Sequence, residues 1–285
     1  MNEPSDCPAE ADRIQEMLSQ QEFDPEFAGR YREYVWIKDA LGGFWKDRLF
    51  TDVLYRVKAG KEATVYCLRG GPAVNGRLIA AKIYRPRMFR TMKNDALYRQ
   101  GRETQDGEGK AVRDSRGKRA IHNKTRFGRQ LMSASWHLNE YQALKTLHAS
   151  GADVPRPIAQ GPDVILMDYL GDEVRGAPVL HGLRLEAGEA RRLLDRVLWN
   201  IELFLSLDRI HADLSAYNIL YWDGRATIID MPQAVQASTH PQALFLLTRD
   251  VERVCQHFAR QGVQINATRT ACDLWDRFLH GGLTA

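Results

Sequence analysis

The segment HADLSAYNILYWDGRATIID, residues 211–230, indicates the fold and chemistry of this 285-residue chain more strongly than any other. It places Asp213, Asn218 and Asp230 at a spacing typical of phosphoryl-transfer sites, where an Asp orients the attacking oxygen and an Asn and a second Asp hold metal ions. Hard cations are bound by the carboxylate and amide oxygens that these residues supply. We therefore predict that the three side chains converge on the phosphates of a nucleotide.

This convergence requires a β-hairpin between Asn218 and Asp230. Residues 219–221 (ILY) form a short apolar strand, residues 223–224 (DG) are a turn signal, and residues 226–229 (ATII) favour a return strand. The return strand would bring Asp230 beside Asn218, as shared metal ions require. A buried histidine beside a capping aspartate would explain the HAD triplet alone, but the rest of the pattern argues against it.

The composition is that of an ordinary globular protein, with 44% hydrophobic and 27% charged residues and a formal net charge of +4. No apolar run approaches the roughly 18 residues that a membrane span needs, and the N-terminal residues carry no secretory signal. The four cysteines are far apart, so neither a zinc site nor a disulfide framework is expected. We expect a cytoplasmic protein without a membrane partner.

Three regions are predicted along the chain. Residues 1–50 are expected to be a helical extension, interrupted by the glycine pair at 42–43. Residues 51–167 would form a small β-rich N-lobe and residues 168–285 a helical C-lobe. Strands are predicted at 52–57, 64–70, 77–85 and 164–170, and helices at 130–148, at 185–210 and after Pro241. The fold class is therefore α+β, a bilobal protein-kinase-like fold with a nucleotide in the cleft.

The N-lobe contains a polar, glycine-rich stretch at residues 101–119 that cannot bury enough apolar surface to offset its ordering entropy. We expect a mobile loop at about residues 100–125. The wider segment 85–129 has fourteen Lys or Arg against five Asp or Glu. Such a segment could attract phosphates or RNA, although a solvated or disordered segment explains it equally well.

The phosphate-binding turn is predicted in VKAGKEATVYCL, residues 57–68, which has the pattern strand, turn, strand. Glycine at position 60 lets backbone N–H groups approach phosphate oxygens without interference from a Cβ. A plain hairpin is the alternative, because there is one glycine where the usual kinase loop has three. The candidate nucleotide-covering residues are Gly60, Lys61, Glu62, Ala63 and Val65.

The following strand carries a single charge, Lys82, and we expect its stem to be buried between Ala81 and Ile83. A buried lysine needs an acidic partner. Glu140, in the next predicted helix, is the candidate. The alternatives are a lysine that snorkels from an edge strand and a glutamate that is an ordinary surface acid.

Further nucleotide contacts are predicted in two places. Residues 164–170 (VILMDYL) would connect the lobes, with Met167 and Tyr169 lining an adenine slot, although any buried strand has this pattern. Ser215, between the first Asp and the Asn, is expected on the γ-phosphate side.

Together, these motifs resemble the RIO family of atypical protein kinases, its RIO1 branch more than its RIO2 branch, with a bacterial-type RIO-like kinase as a variant of this assignment. The matching segments are GKEATVY at 60–66, AAKIYR at 80–85, the predicted helix at 136–140, ILMDYLG at 165–171, HADLSAYNILY at 211–221, IIDMPQAV at 228–235 and the segment 240–263.

The resemblance implies a trimmed kinase fold that uses ATP with Mg²⁺, or Mn²⁺ as the alternative ion. It implies a non-specific serine/threonine protein kinase or ATPase that acts on a protein substrate or on itself, with a link to ribosome small-subunit maturation. Lys82, positioned by Glu140, would bind the α/β phosphates. Asn218 and Asp230 would hold the metals, and Asp213 would orient or deprotonate the attacking oxygen.

Two other functions are compatible with parts of the pattern. One is a small-molecule kinase of the aminoglycoside or sugar type, which shares the Asp–Asn spacing. The other is a nucleotide-switched module that binds RNA or a ribosomal precursor, with little kinase turnover, for which the basic segment 85–129 would be the contact.

Overall fold

The computed structural model describes residues 23–25, 27, 31–85, 119, 122–123 and 125–283. The helices used below are α1 (Tyr31–Lys46), α2 (Arg126–Ala149), α3 (Ala187–Ser206), α4 (Ala243–Ala259) and α5 (Ala267–Leu279). Most of the predicted loop at 100–125 and of the basic segment 85–129 lies outside the described residues. Among the described helices, none is both long and apolar enough to span a bilayer.

The N-lobe is one antiparallel sheet with the strand order β1-β2-β3-β5-β4. Its strands are β1 (Phe50–Ala59), β2 (Ala63–Gly70), β3 (Ile79–Tyr84), β4 (Pro157–Gly161) and β5 (Val164–Asp168). The four predicted strands are confirmed. The sequence did not predict β4, in which proline and glycine, both poor strand formers, occupy the two ends.

Successive strand residues point to opposite sides of the sheet, and the two faces pack in different clusters. One face packs on α1, in a cluster that includes Ile37, Leu41, Ile79, Ala81 and Ile83. Ala80 and Tyr84 belong instead to the core shared with the C-lobe. Lys82 lies on this second face, and its stem is buried as predicted, although its neighbours Ala81 and Ile83 point to the opposite side.

Helix α1 does not stop at the glycine pair, as the sequence suggested, but continues to Lys46. Phe44 and Trp45, which follow the two glycines, pack against the same cluster as the earlier part of the helix. Burial of these aromatic rings offsets the cost of glycine in a helix, about 1 kcal/mol for each residue.

The C-lobe contains α3, α4, α5 and two small antiparallel pairs of strands, β6 (Arg209–Ile210) with β9 (Val235–Gln236) and β7 (Ile219–Trp222) with β8 (Arg225–Ile228). Helix α3 ends at Ser206, four residues before the predicted end. Asp208 has a left-handed backbone (φ 58°), and its carboxylate accepts hydrogen bonds from the N–H and hydroxyl of Ser238 at 2.7 and 2.8 Å. The helical pattern expected after Pro241 is confirmed.

Replacing Ile37 with alanine should lower the free energy of unfolding by about 2–4 kcal/mol, because it empties a fully buried site between α1 and the sheet. The matched control is Val35→Ala on the same helix, where the side chain is 37% exposed, and the expected change is below about 0.5 kcal/mol. Denaturant unfolding followed by circular dichroism measures both. Equal unfolding midpoints for the two variants would contradict a structural role for α1.

Candidate active site

The predicted hairpin between Asn218 and Asp230 is confirmed as β7 and β8. Its turn residues Asp223 and Gly224 both have positive φ (49° and 72°), as the favoured two-residue hairpin turn requires. The N–H of Ile229 donates to the carbonyl of Asn218 at 2.9 Å. Asp230 follows directly, so the hairpin returns the chain beside Asn218 as the sequence predicted.

Lys82 lies between two carboxylates. Its Nζ is 2.6 Å from Glu140 Oε1 and 2.6 Å from Asp230 Oδ1. Glu140 is 1% exposed, which excludes an ordinary surface acid, and the Lys82 side chain is only 12% exposed. Burial alone would lower the pKa of Lys82, but Asp230 and Glu140 raise it well above its ordinary value, so the ammonium stays charged.

Asp230 is the more accessible partner, with 46% of its side chain exposed. Burial would raise its pKa, but the Lys82 ammonium outweighs burial and holds the pKa of Asp230 below its ordinary value. Its backbone has φ 69°, an uncommon conformation for a residue other than glycine and one that often occurs at functional sites.

The second oxygen of Glu140 is also occupied, because the Tyr84 hydroxyl donates to Oε2. The Tyr84 ring stacks on His137, with 3.7 Å between ring centroids. Burial, followed by Glu140, raises the pKa of Tyr84 well above its ordinary value. The sequence contained this signal, since Tyr84 follows Lys82 by two residues on the same strand face.

Asp213 carries a half-exposed carboxylate at the edge of the same region. Its Oδ1 accepts a hydrogen bond from Arg253 Nη1 at 2.9 Å. The Asn218 amide nitrogen donates to the Asp213 carbonyl at 2.9 Å, which fixes the amide so that its oxygen is available for another ligand. The three predicted residues, Asp213, Asn218 and Asp230, are therefore brought into one region.

The loop that carries Asp213 is held by a residue that the sequence analysis missed, Asp250 of α4. Its carboxylate accepts the N–H groups of Ala212 and Leu214 at 2.7 and 3.0 Å. Ala212 has φ 65°, and its carbonyl accepts a hydrogen bond from Arg249. A carboxylate on an otherwise apolar helix face was the available signal, because the nearby positions on that face are buried hydrophobic residues.

His211 connects this loop to the segment before Asp230. Its Nδ1 accepts the N–H of Asp213 at 3.3 Å, so the ring proton is on Nε2, which donates to the Ile229 carbonyl at 3.1 Å. Burial lowers the pKa of His211, in agreement with a neutral ring. The histidine therefore has a positioning role between two functional segments.

The predicted phosphate-covering turn joins β1 and β2. The Gly60 N–H donates to the Ala63 carbonyl at 2.9 Å, and a Cβ on Gly60 would lie 3.0 Å from that oxygen. Lys61 is exposed. Burial and then Asp230 raise the pKa of Glu62, so the turn is close enough to the site for the two acids to repel each other.

The predicted adenine-lining residues lie on either side of the end of β5. Met167 is buried in the same core cluster as Ala63 and Ala80, and Val65 packs against that cluster. Tyr169 donates its N–H to the Leu78 carbonyl at 3.2 Å. Its hydroxyl is 2.7 Å from that of Tyr55.

Ser215 is half-buried and accepts the Asn218 N–H at its carbonyl, at 2.9 Å. It lies on the wall of a cavity that Arg253 also lines.

The oxygen donors of Asn218 and Asp230 fit magnesium, which needs few protein ligands, better than a metal ion that is bound entirely by protein side chains. Within the part of the chain that the structure describes, no three His, Cys, Asp or Glu side chains are placed to hold a metal ion. Asn218 and Asp230 offer an amide and a carboxylate oxygen. Magnesium is usually bound by one or two such protein ligands and completes its shell with substrate phosphates and water.

A model of the RIO domain family matches residues 75–271, which is more than half of the chain. The chain belongs to the RIO domain family. The fission yeast protein named Serine/threonine-protein kinase rio1 is 31% identical over 206 residues, 72% of this chain and 37% of that protein. The RIO-type serine/threonine-protein kinase Rio1 of Haloferax volcanii is 32% identical over 210 residues, 72% and 63% of the two chains.

Human Serine/threonine-protein kinase RIO1 is 28% identical over 222 residues, 78% of this chain and 36% of that protein. The resemblance to the RIO family is therefore confirmed, as is the α+β kinase-like fold class. The aligned part of this RIO-domain chain spans little more than a third of the fission yeast and human relatives.

Replacing Asp250 with asparagine tests how the RIO-domain loop is held. Burial raises the pKa of Asp250 to about 7, against opposing effects of Arg249 and two backbone N–H groups. A folded-state pKa above the unfolded value of about 3.9 means that the wild type loses stability as pH rises from about 4 to 7, by at most about 1.4 kcal/mol per pH unit. Asparagine does not titrate, so the destabilisation caused by Asp250→Asn should be largest near pH 4 and shrink towards pH 7.

Denaturant unfolding across this pH range measures the effect. The control is Asp195→Asn, the same change at an exposed position of α3. A cost of Asp250→Asn that grows with pH would show that the carboxylate is charged in the fold.

Proposed function

We propose that this chain is an ATP- and Mg²⁺-dependent serine/threonine protein kinase with associated ATPase activity. The observation that carries the proposal is the placement of Lys82 between Glu140 and Asp230, with Asn218 and Asp213 beside them. A lysine, a metal-binding pair and an orienting aspartate are the parts that phosphoryl transfer needs. The relatives, which are named serine/threonine-protein kinases, support the same reaction class.

In this proposal Lys82 binds the α/β phosphates, and Glu140 keeps its ammonium charged and aimed at the cleft. The carboxylates of Asp213, Asp230 and Glu62 would repel the phosphates of ATP alone. Asn218 and Asp230 would hold a divalent cation, which would supply the missing positive charge. This arrangement is the physical reason for a strict metal requirement.

Asp213 orients the acceptor hydroxyl and accepts its proton while the new phosphorus–oxygen bond forms and the bond from the γ-phosphorus to the leaving oxygen of ADP breaks. The loop fixes this carboxylate through the backbone, because Asp250 binds the N–H groups on both sides of it. Positioning of this kind supplies much of the rate enhancement in phosphoryl transfer, where the protein does little covalent chemistry.

The base of ATP would enter between the Gly60 turn and the end of β5. Met167, Val65, Ala63 and Ala80 supply an apolar surface there. Leu170 uses its carbonyl to accept the Ala177 N–H. Its own N–H has no hydrogen bond among the described residues, and we assign it to the edge of the base.

The acceptor includes a hydroxyl of a protein substrate or of the chain itself. A role in ribosome small-subunit maturation would follow from family membership, with residues 85–129 as an RNA contact. RNA affinity measured with ATP, with ADP and without nucleotide would test the ribosomal role, which predicts different affinities in the three states.

We also propose that the lobes divide near residue 167, with residues 1–50 as an extension of the N-lobe.

Calorimetric titration with ATP tests the nucleotide site directly. We expect uptake of ATP with Mg²⁺ and at least about 10-fold weaker binding in EDTA, since the loss of one charge-assisted contact costs about 1.5–3 kcal/mol. Asp230→Asn should remove most of this metal dependence. Asp223→Asn, the same change in the exposed hairpin turn, should keep it, because asparagine tolerates the left-handed conformation there. Equal ATP affinity with Mg²⁺ and EDTA in the wild type would refute the metal site.

Asp213→Ala should reduce the rate of phosphoryl transfer by about 10² to 10⁴, the usual range for a general acid–base group. Asp230→Ala should be at least as damaging, because charge neutralisation dominates this reaction. Autophosphorylation and ATP hydrolysis under saturating Mg²⁺ and ATP measure both, with Asp223→Asn as the control. An Asp213→Ala variant that works at the wild-type rate would show that the assigned role is wrong.

A further inference from the structure

A cavity of about 380 Å³ opens next to the loop that carries Asp213. Arg253, Gln256, His257 and Arg260 form one wall, because positions i, i+3, i+4 and i+7 lie on one side of a helix. His181 and the segment 215–217 complete the lining. The Arg253 guanidinium both lines the cavity and binds the Asp213 carboxylate, so a ligand in the cavity is close to Asp213.

The wall has hydrogen-bonding capacity that the fold does not use. His257 is only 6% exposed, and its Nε2 is buried without a hydrogen-bond partner in the described structure. The side chains of Gln256 and Arg260 are exposed and make no hydrogen bond or ion pair with any described residue. A buried ring nitrogen without a hydrogen-bond partner destabilises the fold, and a ligand that hydrogen-bonds to it in the cavity would remove this penalty.

The cavity is also electropositive. Burial, followed by His181 and Arg260, lowers the pKa of His257. His181 and Arg260 are both basic side chains. The wall meets a carboxylate at Arg253, which forms an ion pair with Asp213. Two guanidinium groups, an amide and a ring nitrogen around one cavity favour an anion with several oxygen acceptors.

We propose that this cavity binds the phosphate monoester group of a phosphorylated acceptor, whose hydroxyl then lies at Asp213. This inference rests on the proposed kinase function and names the acceptor class. A phosphate monoester carries about 1.5 to 2 negative charges and three acceptor oxygens, which match the donors of Arg253, Gln256 and Arg260 better than the two oxygens of a carboxylate do. The volume lies in the range of small-molecule sites, about 300–1,000 Å³, so the cavity has room for an ester rather than a bare ion.

Binding is measured by calorimetry on the full chain with three probes: a serine peptide that contains one phosphoserine, glycerol 3-phosphate and inorganic phosphate. We expect Arg260→Gln to weaken ester binding by about 10- to 100-fold, as expected for one charge-assisted contact. The control is Arg192→Gln, an exposed arginine of α3 outside the cavity, which should bind like the wild type. Circular dichroism checks that both variants are folded.

If the phosphoserine peptide binds and Arg260→Gln weakens this binding, the proposal is supported and the acceptor is a protein. If glycerol 3-phosphate binds and the peptide does not, the proposal is supported and the acceptor is a small molecule. No ester binding, binding of inorganic phosphate only, or equal binding by both variants would overturn it.

A turnover test compares kcat/KM for two peptides that each contain an acceptor serine, one with and one without a phosphoserine beside it. We expect a preference of at least about 10-fold for the phosphorylated peptide, and its loss in Arg260→Gln.

Titration of the same wild-type sample with Mg²⁺ and ATP separates this inference from the proposed function. ATP uptake without ester binding would remove the acceptor site and leave the kinase assignment intact. Ester binding without ATP uptake would leave an anion site in a protein that is not a kinase, and would overturn the acceptor role.

Discussion

The ammonium of Lys82 is a charge placed where little water reaches it, and a buried charge is tolerated only when its partners are fixed. Both partners lie 2.6 Å away, and they are 58 and 148 residues distant along the chain. Glu140 comes from α2 and Asp230 from the segment after β8. The need to neutralise one lysine therefore fixes the N-lobe helix and the C-lobe hairpin relative to the sheet, and the geometry of the cleft depends on it.

A second set of contacts holds the backbone of the Asp213 loop while leaving its carboxylate accessible. Asp250 binds the N–H groups on both sides of Asp213, and His211 links the loop to the strand before Asp230. The Asp213 side chain itself remains 44% exposed. Rigidity is thus built from buried backbone hydrogen bonds, and the exposed group is the one that must meet a substrate. This division explains why the loop tolerates a positive φ at Ala212.

Local spacing predicted the hairpin and the meeting of Asn218 with Asp230, because an Asp-Gly turn between two β-rich segments fixes register over a few residues. The cost of an unpaired buried charge predicted that Lys82 has an acidic partner, and the kinase-like architecture made Glu140 the candidate. Asp250 and Arg253 were not found, because their partners are 36 to 40 residues away and only the folded chain brings them together. The end of α3 was predicted four residues too late for the same reason, because Asp208 binds Ser238, which is 30 residues further along the chain.

Arg253 connects the cavity to the chemistry. Its ion pair with Asp213 is solvent-exposed on both sides, 41% and 44%, and such pairs contribute only about 0.2–1 kcal/mol. An anion in the cavity can therefore draw the guanidinium away at small cost. If the cavity proposal holds, Arg253 binds Asp213 Oδ1 while the acceptor is absent and releases this oxygen to the acceptor hydroxyl when the phosphate group binds. Because the buried contacts of Asp250 do not have to change, this exchange would leave the loop backbone in place.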